Sequence, residues 1–364
     1  MKEIRVLISG GGTGGHLYPA LVLGQTLKQL RPGLQLIYVG SPRAVEKKIM
    51  KEQSTTFLTL PIEGLKGRGW KTIRGVALLP FAFFKSFFIL IKYRPALVIG
   101  AGGFSSGPIV ILASWLGKPT IILEQNALPG FTNRKLSRFV DKAVVSFPIS
   151  LRYFGDKGVC LGNPVRSEFY QIPKKKREEV LSLLIFGGSQ GSKFLNDRLI
   201  ESLPYLQDIK KTLVIFHQTG EKDLKRVAAA YKSSGFEQVT VGAYFSPMAD
   251  YFARADLIIC RAGATTCAEL IAALKPAILV PFAQAADNHQ EYNARELEKI
   301  GGAEVILEKD FSPELLIKRI KFYLNHKEIL DKMEENLKKI RQEKAAENIA
   351  HLCLKMMDST LRRS

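Results

Sequence analysis

Short runs of Val, Ile and Leu recur along this chain, most of them closed by glycine or a small polar residue. A first series lies at Ile4–Ile8, Leu36–Val39, Phe57–Leu60, Leu97–Ile99, Thr120–Leu123 and Lys142–Val145. A second follows at Ser182–Phe186, Thr212–Gln218, Val239–Val241, Leu257–Cys260, Ala277–Pro281 and Glu304–Ile306. The runs are continuous rather than alternating, which predicts strands covered on both faces, as in parallel sheets. Helical spacing falls between several of them, at Ala20–Leu30 and Pro108–Trp115. Strand and helix in alternation predict a doubly wound α/β architecture, and its repetition predicts two such domains. The length of 364 residues agrees, since single cores stop growing at roughly 250–300 residues. The turn-forming Gly162-Asn163-Pro164 sets the expected boundaries: residues 1–163, residues 164–344, and a last helix within 345–364 packing back on the first domain.

Composition narrows the class. Hydrophobic residues make up 46% and charged residues 24%, as in ordinary globular proteins. Cys160, Cys260, Cys267 and Cys353 form no C-x-x-C and no zinc spacing, so they are read as reduced thiols and no metal site is expected. The N-terminus opens directly into a strand without the features of a secretory signal. These points lead to the expectation of a cytoplasmic protein.

The net charge of +19 is unevenly spread: residues 1–165 carry 22 Lys+Arg against 7 Asp+Glu, whereas residues 166–364 carry 31 against 27. No acid occurs between Glu63 and Glu124. A one-sided field of this kind seeks nucleic acid or an anionic membrane leaflet. The apolar run from Val76 to Ile91 decides between them. It is too short to span a bilayer, which needs about 20 apolar residues, and Lys85 interrupts it. Part of it must be core helix. Yet Phe81, Phe83, Phe84, Phe87 and Phe88 exceed what one helix stripe can bury, and Lys71, Arg74 and Lys85 stand beside them. Aromatic residues ringed by cations predict a peripheral anchor on anionic lipid. A nucleic-acid partner is not expected, because no base-stacking pattern or reading motif accompanies the charge.

Two glycine loops carry the chemistry. The first is Gly10-Gly11-Gly12-Thr13-Gly14-Gly15-His16, between the first strand and a helix expected to begin near Pro19. Glycines admit close backbone approach, and a helix start favours anions. The G-x-G-x-x-G spacing formally fits a dinucleotide site, but no acid occurs between Glu3 and Glu46 to hold a ribose. His16 reads either as a packing or capping residue or as a general base. The second loop, Gly187-Gly188-Ser189-Gln190-Gly191, repeats the device at the first strand of the second domain. It reads as ligand loop, tight turn, or the G-x-S-x-G of a serine hydrolase, the last lacking well-placed partners. Facing one another, the two loops would line a cleft between the domains.

Cys260-Arg261-Ala262-Gly263-Ala264-Thr265-Thr266-Cys267-Ala268-Glu269 is the most informative stretch. A buried strand gives way to a small-residue turn and a helix start able to hold a pyrophosphate. Glu269 is placed either to accept from ribose hydroxyls or simply to complement the helix dipole. Further on, Gln284, Asp287, Asn288 and Gln290 form an amide-rich loop suited to sugar hydroxyls or to helix capping.

These motifs, with Gly102-Gly103-Phe104-Ser105-Ser106-Gly107-Pro108, Glu124-Gln125-Asn126 and Gly162-Asn163-Pro164-Val165-Arg166, resemble the MurG family of GT-B glycosyltransferases over essentially the whole length. The resemblance implies a GT-B fold of two Rossmann-like domains around a cleft. It implies inverting transfer of N-acetylglucosamine from UDP-GlcNAc to the C4 hydroxyl of the muramic acid in lipid I, giving lipid II at the cytoplasmic face of the bacterial inner membrane. Donor contacts carried over by position fall on Thr13, Gly14, Gly15, Asn126, Arg166, Ser189, Gln190, Phe245, Ala264, Thr265, Thr266, Cys267, Ala268, Glu269 and Gln290, with Phe245 meeting the uracil through its backbone. His16, Asn126 and Glu269 would be catalytic, and Gly102, Gly103, Ser105 and Ser106 would form the acceptor loop. The loop before Gln290 is one residue longer than the family pattern. No cofactor is implied, and with no Asp-x-Asp in the chain none is expected. A GT-B epimerase would share the fold, so fold alone does not fix the reaction.

Overall fold

The computed structural model describes residues 3–11, 14–42, 46, 50, 55–62 and 77–361. Thr13, Lys71 and Arg74, named above as candidates, lie outside the described residues. The chain divides into two units, one of residues 1–165 together with 344–364, the other of residues 166–343.

The described first unit holds a parallel sheet of β1 (Arg5–Gly10), β2 (Gln35–Gly40), β3 (Thr56–Thr59), β4 (Leu97–Gly102), β5 (Thr120–Glu124), β6 (Lys142–Val145) and β7 (Gly158–Cys160). Its strand order is β3-β2-β1-β4-β5-β6-β7. Ile8 pairs with Tyr38 on one side and Ile99 on the other. Both faces of β1 are buried: Val6 and Ile8 enter one core, Leu7 the other. That double burial is why the run has no polar alternation.

The second unit repeats the plan with β8 (Leu181–Phe186), β9 (Leu213–Gln218), β10 (Val239–Gly242), β11 (Leu257–Cys260), β12 (Ala277–Leu279) and β13 (Ala303–Val305). The order is β10-β9-β8-β11-β12-β13, all parallel. In each sheet the winding reverses once, between β1 and β4 and between β8 and β11. Such reversal points leave a crevice beyond the carboxyl ends of the strands, where ligands of open α/β sheets bind.

Two local differences from the sequence expectations stand out, at β7 and at the first helix, while the aromatic run takes the helical form expected for part of it. β7 was not expected: it is a three-residue, half-buried edge strand paired only to β6, too short to show a pattern. The first helix runs Gly14–Leu30, so Pro19 lies inside it rather than at its start. The aromatic run becomes the helix Leu79–Tyr93, with Pro80 in its first turn.

The last helix, Ala345–Leu361, belongs to the first unit. Ile349, Ala350, Cys353 and Met357 share one helical face and are buried with Leu17, Leu21 and Leu27 of the first helix. Arg31 closes the contact with a 2.6 Å ion pair to Asp358.

Candidate functional site

Each unit gathers its candidate residues at its own reversal point. In the second unit, β8 ends in the Gly187–Gly191 loop. Gly188 (φ +95°) and Gly191 (φ +73°) sit in backbone conformations that L side chains rarely adopt. A Cβ on Gly191 would lie 1.9 Å from Thr219 O, whereas one on Gly188 would meet nothing within 4 Å. One glycine therefore packs the loop down and the other leaves it open. Ser189 and Gln190 stand exposed at its tip. Ser192 then caps the helix Lys193–Ser202, its Oγ accepting from Leu195 N–H.

Beside this loop, β11 runs through Gly263 into the helix Ala264–Ala273. The opening N–H groups of that helix leave through its N-terminus. Cys267 takes no part in a surface: it is fully buried, burial pushes its thiol up to about 12, and its N–H donates to Gly263 O. Of the predicted cluster, Thr265, Thr266, Ala268 and Glu269 are half-buried and Ala264 is buried. The Glu269 side chain is 15% exposed, and Arg166 Nη2 lies 3.4 Å from its Oε1. Burial pushes the Glu269 carboxyl up to about 7, with the Arg166 charge pulling the other way and Glu168 reinforcing the rise. Gln290 Oε1 accepts from Phe282 N–H at 3.0 Å. Asn288 makes no side-chain cap for the helix His289–Lys299, although it and Asp287 both adopt positive φ.

Two residues that the sequence reading assigned no role hold these loops together. Gln218, buried at the end of β9, donates from Nε2 to Gly188 O (2.9 Å) and accepts at Oε1 from Phe245 N–H (2.7 Å). Phe245 itself is buried and stacks on Tyr251 at 3.8 Å. The Phe245 N–H is thus already engaged by Gln218. Arg261 spans three elements: Nη1 donates to Val280 O (3.0 Å), Nε to Ser192 Oγ (3.2 Å), and Nη2 pairs with Glu308 at 2.5 Å. A single arginine in a run of small and apolar residues was the available signal.

In the first unit the loops after β1, β4 and β5 converge. Gly102 (φ +98°) and Gly103 (φ +80°) are required by closeness: a Cβ on the first would lie 2.5 Å from His16 Nδ1, on the second 2.2 Å from Gly11 O. His16 Nδ1 is 3.1 Å from Gln125 Oε1. Ser106 Oγ donates to Gly103 O at 2.8 Å, and Ser9 Oγ donates to Ser105 O at 3.0 Å, so both predicted serines are buried parts of the loop frame. Gly14 and Gly15 form the first residues of the helix that carries His16. Asn126 is placed by Glu124, whose Oε1 accepts from Asn126 N–H (2.9 Å) and Nδ2 (3.2 Å). The other oxygen of Glu124 accepts from Gly130 N–H and Asn133 Nδ2. One buried carboxylate thus shapes the whole loop after β5.

On the helix Leu79–Tyr93, Ala82, Ser86, Ile89 and Leu90 face the core. Phe81, Phe84, Phe87, Phe88 and Lys85 are exposed, while Phe83 is half-buried. No helix of the described residues is long and apolar enough to cross a membrane. Among the described residues no group of three or more His, Cys, Asp or Glu side chains is placed to hold a metal ion.

Comparison with known proteins gives a consistent picture. Residues 6–145 match the glycosyltransferase family 28 N-terminal domain and residues 182–351 its C-terminal domain. The chain is 43% identical to the UDP-N-acetylglucosamine--N-acetylmuramyl-(pentapeptide) pyrophosphoryl-undecaprenol N-acetylglucosamine transferase of Anaeromyxobacter sp. (strain Fw109-5), over 97% of this chain and 94% of that one. It is 40% identical to the transferase of the same name from Syntrophus aciditrophicus (strain SB), over 97% and 99%. Among solved structures it is similar to MurG of Acinetobacter baumannii, at 30% identity and a TM-score of 0.79, over 97% of this chain and 99% of that one. A UDP-GlcNAc 2-epimerase from Neisseria meningitidis, bound to UDP-GlcNAc, shares the fold at 12% identity and a TM-score of 0.68.

Proposed function

The chain belongs to glycosyltransferase family 28, and from that membership we propose that it moves N-acetylglucosamine from UDP-GlcNAc to the N-acetylmuramyl-pentapeptide carried on undecaprenyl pyrophosphate. The observation that carries the reading is the near full-length match to transferases of that name. The two parallel-sheet units, each reversing its winding once, agree with it.

The donor belongs to the second unit. Its diphosphate sits at the N-terminus of the helix Ala264–Ala273 and on the open side of Gly188, where backbone N–H groups meet the charge that develops as UDP leaves. Arg166 adds a cation there. Glu269 accepts from the ribose hydroxyls, Gln290 lies near the sugar, and Phe245 lies near the base. The acceptor belongs to the first unit, along the loop of Gly102 to Ser106 and Asn126. His16 takes the proton of the attacking C4 hydroxyl, a contribution of roughly 10²–10⁴-fold for general-base catalysis, and the anomeric centre inverts.

The exposed phenylalanines of Leu79–Tyr93 rest on the anionic cytoplasmic leaflet, where the lipid-linked acceptor resides. The acid-poor composition of residues 64–123 supports this.

The direct test is release of UDP from UDP-GlcNAc. Release that depends on added lipid I is the expected result. Conversion of UDP-GlcNAc to its 2-epimer without any acceptor would overturn the reading.

A further inference from the structure

We propose that Gln125 fixes the tautomer of His16, protonating Nδ1 and leaving the lone pair on Nε2, and so acts as a positioning residue for the proton transfer. The catalytic half of this statement rests on the assignment of His16 as the base.

The argument follows the amide. Gln125 is buried directly after β5, and its Nε2 donates to Ala101 O at 3.1 Å. A backbone carbonyl oxygen only accepts, so the end of the amide that faces Ala101 must be the NH₂. The opposite end, Oε1, is then the atom 3.1 Å from His16 Nδ1. That oxygen also only accepts, so Nδ1 carries the proton. In a neutral imidazole the second nitrogen is then the basic one.

Gly102 fixes the ring from another side. Its backbone passes so close to Nδ1 that a methyl group would lie 2.5 Å away. The orienting group is an amide rather than the carboxylate of a serine-protease triad. It sets direction and tautomer without placing a full negative charge against the ring, and so favours a base that releases its proton again.

The second unit supplies an internal reference of opposite sense. Asn196 Nδ2 donates to Thr219 O (3.0 Å) and to Asp223 Oδ2 (2.7 Å), both acceptors. Its Oδ1 therefore faces His217 Nε2, at 3.0 Å, which must carry the proton, while His217 Nδ1 accepts from Tyr231 OH. One chain thus holds two histidines locked in opposite tautomers by neighbouring amides.

The test is ¹⁵N NMR of the full chain labelled in its histidine rings, the His16 signals being assigned by their loss in His16→Ala. Wild type is expected to show a protonated Nδ1 at His16 and a protonated Nε2 at His217. Gln125→Leu should shift His16 toward the Nε2–H form and lower kcat by about a hundredfold, within the range that general-base catalysis supplies, with donor KM and melting midpoint near wild type. The wild-type tautomer is read without any substitution, so it still decides the proposal if the leucine variant misfolds. A protonated Nε2 at His16 in the wild type, or a kcat loss in Gln125→Leu with the tautomer unmoved, would overturn the proposal. Full turnover in His16→Ala removes the catalytic half and the base assignment together, and the NMR result separates that failure from failure of the tautomer.

Discussion

Arg166 lies between two carboxylates, with Nη2 3.4 Å from Glu269 Oε1 and Nη1 3.1 Å from Glu168 Oε1. Burial still outweighs this cation at Glu269, whose carboxyl titrates at about 7, against about 4.3 in an unfolded chain. The folded protein therefore keeps a proton that the unfolded chain has released, and stability drains away as pH rises through 7. Glu269→Gln should raise the melting temperature of the protein at pH 8 and change it little at pH 5. If Glu269 accepts from ribose, the variant should also bind UDP about tenfold more weakly at pH 8, as loss of a hydrogen bond to a charged group of ~1.5–3 kcal/mol implies. Wild-type affinity should fall toward that of the variant as pH drops below 7. Calorimetric titration across pH 6–8 reads both curves.

The two positive-φ glycines of the Gly187–Gly191 loop should respond differently to alanine. Gly191→Ala drives a methyl into Thr219 O and should unfold the loop, with both stability and UDP binding lost. Gly188→Ala meets open space, so only the backbone strain of about 1–3 kcal/mol applies. Its methyl nonetheless points where a diphosphate would lie, and UDP affinity should fall at least tenfold in a protein that still folds. Thermal melts paired with UDP titrations check the contrast.

Acid should loosen the second unit through His217. The ring is fully buried and its pKa is held down to about 3, chiefly by loss of solvation, with Asp223 opposing. The unfolded histidine takes up a proton below about 6.5, which the folded one refuses until far lower pH. Stability is therefore lost as pH falls below 6.5, by about 2 kcal/mol at pH 5 at ~1.36 kcal/mol per unit. Urea midpoints measured from pH 7 to pH 5 should decline accordingly, and a His217→Gln variant should decline less steeply.

Phe84 and Phe88 are 67% and 52% exposed and form an edge-on pair with ring centroids 4.6 Å apart. Replacing both with serine should leave the melting temperature unchanged. Binding to vesicles containing phosphatidylglycerol should drop about tenfold or more, given ~1.5–3 kcal/mol for burying one such side chain. Wild-type binding should weaken as salt rises. Equal sedimentation of both proteins with vesicles would rule out this helix as the anchor.

Transfer should continue in EDTA. The chain lacks an Asp-x-Asp pair, and the leaving diphosphate is assigned here to helix N–H groups and Arg166. Strict dependence of UDP release on added magnesium would contradict that assignment.

What the sequence made legible follows from the range of the forces involved. β1, β8 and β11 were readable because each is buried on both faces and so written as a mostly apolar run without polar alternation. β7 was not, because an edge strand of three half-buried residues leaves no periodic mark. Glycine loops could be read for the same local reason: Gly188 and Gly191 declare a backbone conformation in their own identity. The groups that orient the site could not. Gln125 meets His16 across 109 positions of sequence, and Gln218 meets Phe245 across 27. Nothing in the neighbourhood of either glutamine announces its partner. Cys267 shows how burial, too, escapes a sequence motif. It stands in the middle of the Cys260–Glu269 stretch, yet helical geometry turns its thiol into the core while Thr266 and Ala268 beside it stay half-buried.

The return of Ala345–Leu361 to the first sheet has a practical corollary for anyone dissecting the protein. A fragment stopped after Val165 would expose Leu17, Leu21 and Leu27 where Ile349, Cys353 and Met357 should cover them, and would be prone to aggregate. The second unit, residues 166–343, is by contrast one uninterrupted segment. Being continuous, it can be expressed alone to test whether the proposed nucleotide affinity resides in it.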